Sequence, residues 1–341
     1  MKKSIIIAAA LLLAVVFAAP AFSAITTPVV RLNLTKNYVI TQEMLDAKVA
    51  EYQQVYESVD SATVLDAMIS DELLSQAMER DGYVLTEDQK DELLAAQKSS
   101  VESQYGMSLT DEQFESLIQA YYGVDLSYYR DYLAEQYLVQ SYVMGAKPEY
   151  FTEAKLMPTT AEVEAFYKKN KSSFISPENV KLAHIFFQFG DDKDAALKKA
   201  TDVANQIKNG KITFEKAVST YSEDTDSITT GGEIGWLSIS DTDTMAYMGE
   251  SFFEKVFELD AGEVSGVIES LAGYHIVKVS VHNDAKILSI DDKTSPTEST
   301  TVRDYITSYL YQEKANEAYQ EAFIALVADL KSQASIKYLG N

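Results

Sequence analysis

Cysteine is absent from the 341-residue chain, which excludes disulfides, thiol nucleophiles and thiolate metal sites and leaves stability to packing. Histidine is nearly as scarce: His184, His275 and His282 are the only three, so few positions can do acid–base work. Cations are outnumbered, with 29 Lys and Arg against 52 Asp and Glu, and the net charge of −23 repels nucleic acid and anionic membrane surfaces. No HExxH, GxSxG, Walker or GxGxxG pattern occurs, so metalloprotease, serine hydrolase and nucleotide-binding chemistry find no support. Neither a metal nor a small-molecule cofactor is called for. The apolar run from Ile5 to Ala19, about 15 residues, is short of the roughly 20 that cross a bilayer comfortably.

That run follows Lys2 and Lys3 and leads into Pro20-Ala21-Phe22-Ser23-Ala24, the layout of a signal peptide over residues 1–23 with cleavage after Ser23. The expected location is periplasmic or otherwise extracytoplasmic. After cleavage the protein should be soluble, with membrane attachment only if the signal stays on. A hydrophobic content of 46% is ample for real cores, and the length suggests two or three domains.

From Thr35 to about Lys171 the pattern reads as helical. Gly82 and Gly106 are helix stops, each followed by a Thr-x-x-Gln capping box at Thr86–Gln89 and Thr110–Gln113, and Thr159 with Glu162 makes a third box. Leu45, Val49, Tyr52 and Tyr56 form one apolar stripe at helical spacing. Val180 to Phe189 is β-branched and aromatic and reads as a buried strand. Helices are expected at Asp191–Asn209, Phe214–Tyr221 and Phe252–Leu259, with a glycine-bearing loop through Gly231, Gly232 and Gly235. His275 to Val281 alternates like a half-buried antiparallel strand. A polar stretch at 284–300 reads as linker, and a final helix from Val302 to Gln333 carries Ile306, Leu310, Phe323, Leu326 and Leu330. That face is too long to leave in water and is expected to pack on the N-terminal helices.

Five blocks occur in order: Val180-Lys-Leu-Ala-His184-Ile, Phe214 to Asp224, Gly231-Gly-Glu-Ile-Gly235-Trp236, Leu259-Asp-Ala-Gly262-Glu-Val-Ser265, and Gly273-Tyr-His275-Ile-Val. In that order and spacing they resemble the parvulin, or PpiC, family of peptidyl-prolyl isomerases. The flanks, with Val64 to Ile69, the Tyr-rich helices at 121–142 and Glu162 to Tyr167, resemble the chaperone segments of SurA-like and PrsA-like exported foldases. The implied fold is multidomain, α and α+β. A helical chaperone-like domain (24–172) is completed by the C-terminal segment (284–341) and carries an inserted parvulin domain (173–283), a four-stranded antiparallel sheet surrounded by helices. The implied partners are unfolded or proline-containing secreted or envelope polypeptides.

By the same resemblance His184 and His275 are the paired active-site histidines, Asp224 the acidic position beside them, and Ser270 the hydroxyl before the second histidine. Met248 and Phe252 are the apolar wall of a proline pocket. Each has a plainer reading: core histidines, a turn aspartate, a surface hydroxyl and helix core. His282 reads as a solvated strand-end residue, and the tyrosines as either helix core or client-binding anchors. Two departures stand out. Trp236 to Phe252 is longer than the family pattern, with Gly249 where a glutamine is expected, and Gly190-Asp-Asp-Lys-Asp194 puts acid where phosphate-directed relatives carry cations. The alternative to an isomerase is a catalytically weak parvulin fold that only grips clients.

Overall fold

The computed structural model describes residues 27–54, 56 and 58–339, so the expected signal peptide lies outside the described residues. The chain divides into two compact units, one of residues 1–158 with 310–341 and one of residues 159–309.

The first unit opens with strands β1 (Pro28–Asn33) and β2 (Asn37–Thr41), then helices α1 (Gln42–Tyr52), α2 (Ser61–Arg80), α3 (Glu87–Tyr105), α4 (Asp111–Tyr122), α5 (Leu126–Ala146) and α6 (Glu153–Leu156). The second unit runs through α7 (Thr160–Asn170), β3 (Ile175–Ser176), β4 (Asn179–Gln188), α8 (Lys193–Lys208), α9 (Phe214–Tyr221), β5 (Glu233–Ser238), α10 (Thr242–Met248), α11 (Glu250–Phe257), β6 (Val264–Glu269), β7 (Gly273–Asn283) and β8 (Lys286–Ile287). Helix α12 (Val302–Gln333), whose residues from Leu310 onward belong to the first unit, leads to β9 (Ser335–Tyr338).

All three capping boxes anticipated from sequence close, two at the starts of α3 and α4 in the first unit and Thr159 with Glu162 at the start of α7 in the second. The reading from Thr35 as helical is corrected by β2, which joins β1 and β9 in a sheet of order β2-β1-β9. Strands this short carry too little alternation to stand out against helical neighbours, and β1 is completed by a strand some 300 positions away. The stripe to Tyr56 also fails: α1 ends at Tyr52, Leu45 is its one buried residue, and Tyr56 lies beyond the helix and exposed. The core joins Val30, Leu32 and Ile40 to Ile69 and Leu73 of α2, Val143 of α5, and Leu326 and Leu330 of α12. Gln76 of α2 is fully buried, and its Oε1 accepts the backbone N–H groups of Leu34, Thr35 and Lys36 in the β1–β2 turn at 2.9–3.2 Å. One buried amide oxygen thus serves three backbone donors of the turn and ties it to α2.

The second unit is built on a four-stranded antiparallel sheet of order β5-β4-β7-β6. Its two inner strands are apolar on both faces. Leu182, Val277 and Val279 pack against Phe252, Phe253 and Val256 of α11 on one side. Ile185, Phe187 and Ile276 pack against Ala200 and Val203 of α8 and Phe214 and Val218 of α9 on the other. The expectation of a half-buried last strand is therefore corrected: residues 273–277 of β7 are all buried, because helices cover both faces. Strands β5 and β6 sit where the residue pattern read only glycine-bearing loop or nothing. The polar stretch after residue 284 is not free linker throughout, since β8 pairs with β3.

Candidate active site

Strand alternation puts His184 and Phe186 of β4 on the face of α11, and the register sets Phe186 opposite His275 of β7. His184 Nδ1 lies 3.0 Å from His275 Nδ1. The segment after α9 is laid along β4 by three bonds: Glu223 N–H to Phe186 O at 2.8 Å, Phe186 N–H to Ser222 Oγ at 3.2 Å, and Gln188 N–H to the Glu223 carboxylate at 2.9 Å. This brings Asp224 to His184 Nε2 at 2.8 Å. At the other end Ser270, closing the β6–β7 turn, meets His275 Nε2 at 2.8 Å. His184, Asp224, Ser270 and His275, chosen from sequence, are thus one continuous hydrogen-bonded chain.

Proton accounting gives that chain a direction. Burial pushes the Asp224 carboxyl up, but hydrogen bonds from Ser227 and His184 outweigh it and leave it below the ordinary carboxylate range, so it is an anion that only accepts. His184 must then donate through Nε2 and accept at Nδ1. Burial lowers its pKa against the opposing pull of Asp224, so it is neutral at neutral pH. His275 therefore donates through Nδ1 and accepts at Nε2 from the Ser270 hydroxyl. Burial, with His184 beside it, drives His275 down to about 3, so it too is neutral. The Ser270 oxygen also receives the N–H groups of Ala272 and Gly273 at 3.1 and 3.2 Å. Every proton in the chain points toward Asp224.

Of the proposed pocket wall, Phe252 makes a T-shaped contact with His275, ring centroids 5.0 Å apart, and Met248 lies in the same apolar cluster as Phe252. Both are nearly inaccessible, at 1% and 9% exposure, and Phe252 backs His275 from within the core. Three contributors escaped the sequence reading. Ser227 donates to Asp224 at 2.5 Å, and a hydroxyl three residues after an acidic candidate is a weak but legible sign. Phe186 lies beside both histidines, its ring centroid 5.9 Å from that of His184 and 4.8 Å from that of His275. Gly232 receives the His184 N–H on its carbonyl at 2.8 Å, and a Cβ there would stand 2.3 Å from the His184 carbonyl oxygen.

The expectation for His282 is also corrected. It is not a solvated strand end: Nδ1 faces the Leu259 carbonyl at 2.6 Å and Nε2 faces Glu178 at 2.8 Å. Two acceptors require two ring protons, and these bonds raise its pKa above the usual 6.5. Histidines of opposite tendency predict a dome of stability against pH. Below pH 6.5 the unfolded chain takes up protons that buried His184 and His275 refuse, so stability falls toward acid. Above 6.5 unfolded His282 releases a proton that the folded residue retains, so stability falls as pH rises through its folded pKa. Thermal melts followed by the fluorescence of Trp236, the sole tryptophan, should show both limbs, and His282→Gln should remove only the alkaline one. A profile flat from pH 5 to 8 would contradict this assignment of charge.

Residues 184–281 match the family model for rotamase, the PPIC-type PPIASE domain. Over longer stretches the chain is similar to the foldase protein PrsA of Clostridium botulinum strain Langeland, 25% identical over 262 residues that make up 75% of this chain and 68% of that protein. It is equally similar to the chaperone SurA of Pectobacterium atrosepticum, 25% identical over 287 residues, or 82% of this chain and 62% of that protein. A solved chain from a study of two SurA-like chaperones of Campylobacter jejuni aligns with a TM-score of 0.36 and 20% identity, over 69% of this chain and 97% of that one.

Proposed function

Because residues 184–281 are a PpiC-type peptidyl-prolyl isomerase domain, we propose that the whole chain is an exported foldase that isomerises proline bonds in unfolded secreted or envelope polypeptides and holds them meanwhile. The division proposed is a signal peptide at 1–23, a helical holding domain at 24–172 completed by 284–341, and the isomerase domain at 173–283. The observation that carries the catalytic reading is the one-way chain from Ser270 through two neutral histidines to Asp224, backed by Phe252.

Rotation about an X–Pro bond breaks no covalent bond and faces a barrier of about 18–20 kcal/mol from amide resonance. Ser270 is not presented as a nucleophile, since it is buried and its oxygen already receives two backbone N–H groups. Such a site works by binding the twisted amide better than the planar one, at about 1.36 kcal/mol per tenfold in rate. The planar amide is the more charge-separated form, so neutral imidazoles and aromatic rings favour the twisted one. The fixed direction of the protons keeps the one full charge, on Asp224, at the end remote from Ser270.

Client holding is supported by the first unit's exposed aromatic side chains. Tyr121, Tyr122 and Tyr137 are exposed while Tyr129 and Tyr142 are buried, so the tyrosines divide between surface and core. Tyr and Trp anchor polypeptide partners well because they bring much area with few torsions.

A second reading, a parvulin fold that binds clients but catalyses weakly, is favoured by the near-complete burial of Met248 and Phe252, which leaves them little surface to offer a proline ring. Exchange NMR on a panel of Xaa-Pro peptides separates the two. With the full chain, cis/trans exchange should exceed the thermal rate, and Asp224→Ala should lower that excess at least about tenfold by freeing the His184 tautomer. Exchange at the thermal rate on every peptide would leave only the binding reading, which an aggregation-suppression assay on an unfolded client tests separately.

A further inference from the structure

Resting on the isomerase reading above, we propose that Ser227 is a positioning residue, whose hydroxyl holds the Asp224 carboxylate in place as the proton acceptor of His184. The two groups converge on one atom: Ser227 Oγ donates to Asp224 Oδ2 at 2.5 Å, and His184 Nε2 lies 2.8 Å from the same oxygen. Two donors aimed at one oxygen fix the orientation of the carboxylate and favour its anion.

Ser227 is itself anchored to the backbone of the histidine it serves. It is buried, at 5% exposure, and its carbonyl accepts the Gly232 N–H at 2.8 Å and the Thr230 hydroxyl at 2.9 Å. Gly232 in turn takes the His184 N–H on its carbonyl at 2.8 Å. The contacts close a ring that leaves the His184 imidazole, passes through Asp224, Ser227 and Gly232, and returns to the His184 backbone. Gly232 has φ +82°, and a Cβ there would stand 2.3 Å from the His184 carbonyl oxygen, so glycine lets the turn lie directly on β4.

The groups around Asp224 show what depends on this hydroxyl. Burial pushes the Asp224 carboxyl up, and hydrogen bonds from Ser227, His184 and the Asp226 N–H bring it below the ordinary range. His275 of β7 stands beyond His184, and neighbouring Glu223 is occupied by Lys199 of α8 at 2.7 Å and the Gln188 N–H at 2.9 Å. Without the Ser227 proton the carboxyl protonates at higher pH. A neutral Asp224 no longer obliges His184 to donate through Nε2, and the direction of the whole chain is lost.

The test follows catalysed cis/trans exchange of a blocked Xaa-Pro peptide without ionisable side chains from about pH 4 to 8, in the full chain and in Ser227→Ala, Ser227→Cys and Thr230→Val. Trp236 fluorescence limits the comparison to conditions where the chains are folded. Activity falls as pH drops through the Asp224 pKa, and removing a donor to the anion moves that fall to higher pH. The ratio of Ser227→Ala to parent, steady near neutral pH, should drop a further threefold or more, roughly, across the acid limb. Ser227→Cys keeps the volume with a weaker donor and should move the limb in the same direction. Thr230→Val loosens the same turn without touching Asp224 and should leave the limb where it is. A limb unmoved in whichever Ser227 variant folds, or moved equally by Thr230→Val, would overturn the proposal. If the parent turns over no peptide, the isomerase reading fails on its own. Carbon-13 NMR titration of the Asp224 carboxyl, assigned by difference with Asp224→Asn, then decides the role of Ser227 by the same shifts.

Discussion

Alanine in place of Gly273 should unfold the isomerase unit under conditions where the parent chain is stable. A Cβ at this position would lie 2.3 Å from the Phe187 carbonyl oxygen and 2.6 Å from the Phe186 ring. Both obstacles belong to β4, and the first is backbone, so relief requires β7 to move off β4 along the pairing that carries His275 opposite Phe186. Ordinary overpacking costs about 1–3 kcal/mol, and a backbone obstacle in a central strand pair belongs at or above the top of that range. Trp236 reports this unit, since it lies in β5 within residues 159–309. Urea unfolding followed at Trp236 should show a loss of about 3 kcal/mol or more. Gly266→Ala in β6, where an added Cβ meets nothing within 4 Å, should change stability by about 0.5 kcal/mol or less. Equal effects of the two substitutions would disprove the close-approach argument.

His275→Ala should lower kcat/KM for proline peptides by about a hundredfold or more, the scale seen when one preorganised polar group is removed from an active site. This residue is the hub: it touches His184, Ser270, Phe186 and Phe252. Its loss orphans the Nδ1 of buried His184, frees the Ser270 proton and opens a gap beside Phe252. Because the four groups act as one chain, His275→Ala combined with Asp224→Ala should cost little more than His275→Ala alone. Activity within threefold of the parent, in a variant that still folds by Trp236 fluorescence, would remove His275 from the mechanism. A double variant whose loss equals the product of the single losses would mean that the residues act independently.

Much of this architecture is legible in the sequence. The helix starts at Thr86, Thr110 and Thr159 are written in capping boxes, which depend on residues three apart. Helix α9 falls at Phe214–Tyr221 and α12 at Val302–Gln333, as their apolar spacing requires. Strand β4 is legible because a run buried on both faces is apolar throughout. The short strands β1, β2 and β9 are not, for each is too brief to show alternation and β9 joins β1 from across most of the chain length. The setting of His282 is hidden for a similar reason: its acceptors are a backbone carbonyl and a glutamate, respectively 23 and 104 positions away.

The sequence by itself determined the type of chemistry, since a chain without cysteine and with three histidines has few ways to build a polar site, and ordered motifs single out His184, Asp224, Ser270 and His275. Only the tertiary structure decided how those four are connected. The β4–β7 register, the Ser222–Asp224 segment laid along β4 and the turn at Ser270 bring residues 91 positions apart to 3.0 Å, and burial then fixes which atom holds each proton. Charge state and hydrogen-bond direction depend on what surrounds a side chain, and local sequence does not encode surroundings supplied by distant strands.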